Sequence, residues 1–293
     1  MHLFLQTVML GVLIGGVYAL LASGLTLIFG VMGIINVAQG ALLILSCYFA
    51  WLVWQTTGLD PMWISILAAP LMFAVGWVLY RLLIVRVRGA HATMSVLLTF
   101  ALAITLEGIL GVIWTGNFRS VTPSYFSQSL RIGDFFFPTA QVYGSITAVA
   151  VLLVLYLILS RTREGRAIRA TAQNRLAAQL VGVDADRVAA FTFALGAATA
   201  GVGGAILSVL YPFAPGSHYL WISRLLGIIV LGGMGSLPGA ALGAVILGVA
   251  ETLTSTYISL KWATVVFYVV IFVVLLVRPQ GLMGTRLRED VQA

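Results

Sequence analysis

Two acidic side chains lie within strongly apolar stretches of the chain, at Glu107 and Glu251. A charged side chain at the centre of a membrane costs roughly 2.5–3.5 kcal/mol unless it is paired or neutralised. Such residues carry protons or sodium ions in ion-coupled transporters, and elsewhere they form structural ion pairs. Arg224 opens the helix before Glu251, so we expect these two to pair, whereas Glu107 has no obvious partner. Ion-coupled secondary transport of a small solute through Glu107 and Glu251 is therefore one candidate function.

Amide and hydroxyl groups follow two glycine-rich turns. Asn36 and Gln39 come after Gly33, and Ser236 comes after Gly235. An amide at the start of a helix offers hydrogen-bond donors and acceptors to a passing zwitterion. The same residue types also cap helices, and Asn36 and Ser236 stand at suitable positions for that role. The sequence leaves ligand contact and helix capping open for these residues.

A basic, amphipathic segment occupies residues 161–188. Its apolar residues recur one helical turn apart, at Ile168, Ala172, Leu176 and Leu180, with Ala177 and Val181 beside them. Arg166, Arg169 and Arg175 point elsewhere, so a single helix would have a continuous apolar face. Such a face fits a soluble subunit, and it equally fits the headgroup layer of a membrane.

Composition places the chain in a membrane. The residues are 61% hydrophobic and only 9% charged, whereas an ordinary soluble domain is about 25% charged. Crossing a bilayer takes about 20 apolar residues, and such runs lie near residues 6–29, 34–54, 62–85, 93–114, 140–160, 189–210 and 262–277. Residues 224–258 add two helices that meet at residues 232–239. We therefore predict an all-α, polytopic integral membrane bundle that forms one domain over residues 1–293, with about eight or nine membrane-crossing helices, some broken at Gly/Pro-rich turns.

Small residues recur four positions apart in several predicted helices. Examples are the pairs Gly11/Gly15, Gly204/Ser208, Gly239/Gly243 and Ala240/Ala244. This spacing lets helix backbones approach closely, and we expect it to serve packing within the chain. Gly30–Gly33 and Gly232–Gly235 share the pattern Gly-x-Met-Gly at breaks between apolar helices, which raises the hypothesis that the two halves are related. Broken helices in corresponding positions point to a transport pathway.

Basic residues indicate which helix ends face the cytoplasm. Twelve of the sixteen Lys and Arg residues lie in residues 81–88, 161–187 and 278–288. We expect the segment 161–188 and the tail 278–293 to be cytoplasmic and the loop 115–139 to be external. Counting helices back from residue 81 places the N-terminus outside. The net charge of +7 is thus a signal of topology, not of nucleic-acid binding.

The sequence offers little for metal binding or catalysis. Cys47, the only cysteine, lies in the second apolar run and is expected to pack as a small hydrophobic residue. His2, His91 and His218 are scattered, so we predict no metal site and no cofactor. The only lysine, Lys261, follows a leucine, so the phosphate-binding loop Gly-x-x-x-x-Gly-Lys-Ser/Thr is absent. No Gly-x-Ser-x-Gly turn is present either, and the chain is predicted not to be an enzyme.

Three sequence motifs carry a family resemblance. They are residues 24–40 (GLTLIFGVMGIINVAQG), 231–240 (LGGMGSLPGA) and 278–282 (RPQGL). Together with the length and the hydrophobic layout, they closely resemble the branched-chain amino-acid ABC transporter permeases of the LivH type. The resemblance implies a permease subunit of the bacterial inner membrane that translocates leucine, isoleucine and valine. An amide, urea or a short carboxylate would suit the same small and apolar walls.

The resemblance also implies partners and a solute pathway. The partners would be a second, LivM-like permease, two cytoplasmic ATP-binding subunits that hydrolyse the ATP, and a periplasmic substrate-binding protein. Selectivity in such importers lies mainly with the binding protein. The residues predicted to line the pathway are Asn36, Gln39, Glu107, Ser236 and Glu251.

Importer permeases of this class carry a cytoplasmic loop with the pattern Glu-Ala-Ala, three residues, then Gly, whose short helix fits a cleft on the ATPase. Ala177, Ala178 and Gly182 match that pattern, and Leu176 stands where the Glu would be. ATP-driven closure of soluble subunits can move membrane helices only through a rigid part anchored in both. The residues predicted to couple the chain to the ATPases are Arg166, Arg169, Ala177, Ala178 and Gly182.

Overall fold

The computed structural model describes residues 1–87 and 92–284 of the chain. The predictions for Arg88, His91 and the tail beyond residue 284 lie outside the described residues. Eight helices in these ranges are long and apolar enough to cross a membrane, which confirms the all-α, polytopic bundle. The helices in chain order are α1 (His2–Met32), α2 (Ala38–Thr57), α3 (Pro61–Leu79), α4 (Val85–Val87), α5 (Ala92–Trp114), α6 (Thr139–Arg161), α7 (Arg163–Gln173), α8 (Arg175–Leu180), α9 (Ala185–Leu210), α10 (His218–Gly232), α11 (Leu237–Tyr257) and α12 (Leu260–Val277).

The predicted spans agree with these helices, but their boundaries differ. α1 has 31 residues and extends beyond the predicted run 6–29 at both ends. α3 continues into α4 through a π-helical turn at Tyr80–Ile84. α10 has only 15 residues. At 1.5 Å per residue it measures about 22 Å, so it is too short to cross a hydrocarbon layer of roughly 30 Å.

Small residues bring α1, α9 and α11 together at the centre of the bundle. A Cβ added to Gly11 would lie 2.6 Å from the Cα of Val249, and one added to Gly15 would lie 2.6 Å from the Cα of Val245. Gly204 of α9 is just as close to α2. These contacts are within the chain, which confirms the packing role predicted for the small residues. Close backbone approach matters here because lipid offers no hydrophobic drive for helix association.

A β-hairpin interrupts the helical pattern within residues 115–139. β1 (Ser129–Ile132) pairs antiparallel with β2 (Phe135–Pro138), and Gly133 between them has a φ of 63°. The Nε2 of Gln6 donates to the carbonyl of Phe136 at 3.0 Å. The N-terminus therefore lies at the same end of the bundle as the hairpin, as the predicted topology requires. We call this end the hairpin face.

The loop that carries the hairpin is fastened to the bundle. Arg119 and Phe213 exchange two backbone hydrogen bonds of 2.8 Å. The guanidinium of Arg119 also lies 4.1 Å from the ring centre of Trp51. The hydroxyl of Tyr125 donates to the Asp60 carboxylate at 3.2 Å, and burial together with that carboxylate raises the pKa of Tyr125. The loop is thus an ordered part of the fold.

The opposite end of the bundle carries two short helices, α7 and α8, where the sequence predicts one helix. Asn174 is extended, with a φ of −155°, and its Oδ1 accepts a hydrogen bond from the N–H of Ala177 at 3.0 Å. An Asn side chain can compete with the helix backbone in this way, so it ends α7 and caps α8. The predicted continuous apolar face is therefore wrong. Ile168 on α7 is buried, whereas Leu176 and Leu180 on α8 are exposed. We call this end the basic face.

After α12 the chain returns to the end of α10. The N–H of Leu282 donates to the carbonyl of Leu231 at 2.8 Å, and the N–H of Met283 donates to the carbonyl of Gly232 at 3.0 Å. A helix leaves its last carbonyls without internal partners, so these two bonds satisfy the end of α10. Gly281 has a φ of 78°, which favours glycine. Gly281 ends a turn that begins at Arg278, and the two residues after it close the end of α10.

Candidate functional site

An ion pair joins α10 to α11 inside the bundle. The Nη2 of Arg224 lies 2.8 Å from the Oε1 of Glu251, and its Nη1 lies 3.3 Å from the Oε2. Their side chains are only 9% and 14% exposed. The predicted pairing of Arg224 with Glu251 is confirmed. The two contacts make the pair bidentate, which is a strong and directional arrangement.

Tyrosine hydroxyls and an aromatic ring surround this pair. The hydroxyl of Tyr18 accepts a hydrogen bond from the Nη1 of Arg224 at 2.7 Å and donates one to the Oε2 of Glu251 at 2.9 Å. The hydroxyl of Tyr211 lies 3.3 Å from that of Tyr18. The ring centre of Trp221 lies 5.4 Å from the guanidinium carbon, within the range of a cation–π contact. The buried Nε of Arg224 has no hydrogen-bond partner among the described residues.

A cavity of about 510 Å³ borders Arg224 on the hairpin face. Its walls come from the start of the loop 115–139, from the segment between α9 and α10, and from α10. Beside Arg224 they include Phe118, Tyr211, Ser217, Leu220 and Trp221. We call this space the hairpin-face cavity. It combines aromatic and apolar walls with one buried cation, a combination typical of small-molecule sites.

The second acidic residue, Glu107 of α5, also has a partner. The Nε2 of His218 lies 3.0 Å from the Oε2 of Glu107. The His218 side chain is 1% exposed and that of Glu107 is 28% exposed. Glu107, for which the sequence offers no obvious partner, is therefore paired with His218. The two residues are 111 positions apart, so only tertiary structure could reveal the contact.

A third polar cluster lies at the break between α1 and α2. The Nδ2 of Asn36 donates to the Oε1 of Gln39 at 3.3 Å, and the Nε2 of Gln39 donates to the carbonyl of Gly196 at 2.8 Å. Both side chains are fully buried. α2 begins after Val37 without a side-chain cap, so capping is wrong for Asn36. The Oδ1 of Asn36 has no hydrogen-bond partner among the described residues, which leaves one acceptor unused at the break.

Ser236 caps the helix that follows it, as one of the two interpretations predicts. Its Oγ accepts a hydrogen bond from the N–H of Gly239 at 3.2 Å. Ser236 also borders a second cavity, of about 500 Å³, together with Arg169 and residues of α1 and α6. We call it the basic-face cavity. A Cβ added to Gly30 would lie 3.4 Å from the carbonyl oxygen of Gly235, so the two glycine-rich breaks lie side by side.

Arginines fasten α7 to the end of α6. Arg169 donates through Nη1 to the carbonyl of Leu159. Arg166 is exposed, and its Nη1 lies 3.5 Å from the carbonyl of Arg161. Carbonyls in the last turn of a helix have no partner within it, and cationic side chains stabilise that end. Of the two arginines predicted to contact ATPases, Arg169 is therefore partly engaged within the chain.

The predicted alanine and glycine positions have different surroundings. Ala177 is exposed, whereas Ala178 is 3% exposed and packs inward. Gly182, with a φ of 85°, makes the turn after α8. Beside these residues, Leu180 and Val181 present the apolar surface at 88% and 79% exposure. The outward surface of α8 thus depends on its large apolar residues and not on Ala178.

Comparison with known proteins decides the family. The family model described as "Branched-chain amino acid transport system / permease component" matches residues 8–275. The chain belongs to this family. The match covers nearly all of the sequence, so the three polar clusters and α8 lie inside the matched region.

Individual relatives of this permease-family chain agree with that result. The high-affinity branched-chain amino acid transport system permease protein LivH of Salmonella typhimurium is 33% identical over 96% of both chains. LivH of Escherichia coli K12 is 32% identical over the same shares. LivM of Salmonella typhimurium is 25% identical over 91% of this chain and 68% of its own length. No solved structure gives a significant match. The chain is thus more similar to these LivH proteins than to this LivM protein.

Proposed function

We propose that this chain is the transmembrane permease subunit of an ATP-binding-cassette importer for leucine, isoleucine and valine. Its relatives are named as permease proteins of branched-chain amino acid transport systems, which supports the solute class. The complex would contain a LivM-like second permease and two cytoplasmic ATP-binding subunits in the bacterial inner membrane. A periplasmic binding protein would deliver the solute to the hairpin face. The whole chain acts as one permease domain, and its partners hydrolyse the ATP.

The observation that carries this proposal is the exposed apolar surface of α8. Leu176, Leu180 and Val181 are 73%, 88% and 79% exposed. Fully burying one such side chain contributes about 1.5–3 kcal/mol, and an apolar patch left in the open marks a contact site. Because the basic segment would face the cytoplasm, the patch suits a cleft on an ATP-binding subunit.

Coupling would pass from α8 into the membrane helices on either side. α7 packs under the bundle through Ile168, and α9 begins three residues after Gly182. A subunit bound to α8 therefore acts on α7 and α9, which are both anchored in the bundle. Arg166 and Ala177 lie beside this proposed contact. Ala178 holds α8 in place, and Arg169 holds α7 in place.

The solute would pass between the two cavities by way of the glycine-rich breaks. Glu251 and Glu107 belong to the clusters at the hairpin face, and Ser236 borders the basic-face cavity. Asn36 and Gln39 lie at the break between them. Polar backbone and amides are tolerated at membrane depth where they are buried in protein or line a cavity. This series of polar groups supports the predicted pathway.

The test replaces the exposed leucines of α8 with a charge. Leu176→Arg combined with Leu180→Arg should lower co-purification of the ATP-binding subunits and lower leucine uptake about tenfold, the effect of losing about 1.4 kcal/mol of binding. Leu260→Arg, at a position 77% exposed at the start of α12, is the matched control and should retain both. Uptake that is normal in the double variant, at normal chain levels, would count against docking at α8.

Energy coupling is tested separately, because an ion-coupled transporter would use Glu107 and Glu251 directly. Proteoliposomes of the purified complex with ATP on the cytoplasmic side, and no ion gradient, should accumulate leucine delivered by the binding protein. Accumulation that needs a proton or sodium gradient and ignores ATP would favour ion coupling instead.

A further inference from the structure

We propose that Arg224 binds the carboxylate of a zwitterionic amino acid in the hairpin-face cavity. This inference rests on the proposed function and names the residue that recognises the solute. It predicts that amino acids are accepted at this point and that urea and amides are not, because only the amino acids carry a carboxylate.

The geometry of Arg224 leaves one hydrogen-bonding edge unused. Glu251 engages the end of the guanidinium, with one oxygen near Nη1 and the other near Nη2. Tyr18 takes a further contact at Nη1. A guanidinium presents five N–H groups in a planar fork, so Nε and the adjacent hydrogen of Nη2 form a second edge. The Nε has no partner among the described residues, although it is buried.

The surroundings favour this use of the second edge. Arg224 is 8% exposed and borders the cavity of about 510 Å³. A buried donor without a partner is costly, and a carboxylate would supply the missing acceptor. Leu220, Trp221 and Phe118 supply apolar surface for a branched side chain. The cavity therefore matches the carboxylate and the branched side chain of leucine.

Glu251 makes the site weak, and transport requires weak binding. The carboxylate of Glu251 neutralises most of the charge of Arg224, so a second carboxylate is held by hydrogen bonds more than by net charge. A solute in a translocation pathway must bind well enough to enter and weakly enough to leave. Binding in the millimolar range, about −4 kcal/mol, meets both conditions.

The test measures protection of a cysteine placed in the cavity wall. Gly116 borders the cavity, and a Cβ added to it would have no neighbouring atom within 4 Å. The native Cys47 is fully buried, so the unaltered chain supplies the labelling background. Gly116→Cys is expressed with the other subunits, its leucine uptake is confirmed, and washed spheroplasts are treated with a membrane-impermeant maleimide. With a Kd of about 1 mM, about 10 mM leucine should slow labelling about tenfold.

Ligand analogues and variants then isolate Arg224. 4-Methylpentanoate, which has the carboxylate but no amine, should also protect, whereas leucinamide should not. Protection by leucine should disappear in Arg224→Gln/Glu251→Gln, which removes both charges together. If that variant does not insert, Arg224→Lys serves instead, since Lys can pair with Glu251 but has no second planar edge.

Several outcomes would overturn the inference. Equal protection by leucine and leucinamide would exclude carboxylate recognition, and protection that survives in the Arg224 variants would assign it to another group. Absence of protection in a chain that still takes up leucine would remove the site and leave the proposed function intact. If the unaltered complex did not take up leucine with ATP, that result would instead contradict the proposed function.

Discussion

At the residue scale, each of the two acids within the apolar helices has a partner. Glu251 meets Arg224 and Tyr18, and Glu107 meets His218. Removing one member of such a pair is costly, because the other stays buried without compensation. The apolar composition of the chain therefore tolerates these groups only in combination. Each combination also joins two helices, which makes it a point of mechanical connection.

The pair of Glu107 and His218 leads to a prediction about stability. Glu107→Ala removes the partner of a histidine that is 1% exposed, and should destabilise the chain by about 1–3 kcal/mol. Glu107→Gln keeps an acceptor for the imidazole and should lose less. Thermal denaturation of the detergent-purified complex measures both variants. Equal melting temperatures for the two would show that the hydrogen bond does not stabilise α5 against α10.

At the scale of elements, glycine determines which helices can touch. Gly204 of α9 faces α2, where an added Cβ would lie 2.7 Å from the Cβ of Ser46 and 3.1 Å from the backbone nitrogen of Cys47. Gly108 of α5 has no atom within 4 Å of the same position. Residue type does not distinguish these two glycines. Only the neighbouring atoms show that Gly204 is needed for packing and that Gly108 can accept a side chain.

This difference predicts opposite effects of one substitution. Gly204→Ala forces α2 and α9 apart and should cost about 1–3 kcal/mol, the usual penalty for overpacking. Gly108→Ala adds a methyl group in open space and should leave stability unchanged or slightly higher, because Ala is the better helix former. Melting temperatures of the purified complex compare the variants. A loss in Gly108→Ala as large as in Gly204→Ala would contradict the packing account.

The helices and strands differ in whether the sequence alone predicts them. Runs of about 20 apolar residues predict the crossing helices correctly, because in lipid a helix satisfies all its own backbone groups. The division at Asn174 is not evident, since an Asn fits the polar face of a longer helix. The hairpin β1–β2 consists of two four-residue strands whose pairing depends on the turn at Gly133. The contact between Glu107 and His218 arises from helix packing alone.

At the scale of the whole molecule, the two faces differ in composition and contacts. The N-terminus meets the hairpin through Gln6 and Phe136. α7 and α8 follow α6, which begins directly after β2 and crosses to the other end. The predicted orientation requires the hairpin face and the basic face to lie at opposite ends, as they do; which end is external stays a prediction. In the proposed importer, this arrangement would separate solute delivery from energy input by the thickness of the bundle.

Labelling of single cysteines tests this orientation. Leu3→Cys and Leu130→Cys lie at the hairpin face and are exposed, as is Leu180→Cys on α8. In chains expressed without the ATP-binding subunits, an impermeant maleimide should label the first two in intact spheroplasts and should label Leu180→Cys only after permeabilisation. The buried Cys47 should stay unlabelled in each case. Labelling of Leu180→Cys in intact spheroplasts would show the reverse orientation.

The turn at Gly281 has a consequence for the order in which the molecule is made. Leu282 and Met283 are synthesised about fifty residues after the α10 carbonyls that they satisfy, at Leu231 and Gly232. Until they emerge from the ribosome, those carbonyls have no such partner, and an unsatisfied backbone group within lipid costs several kcal/mol. A nascent chain that stops early therefore carries an open helix end beside the break at Gly235. Leu282 and Met283 thus complete the end of α10 only after α11 and α12 have been made.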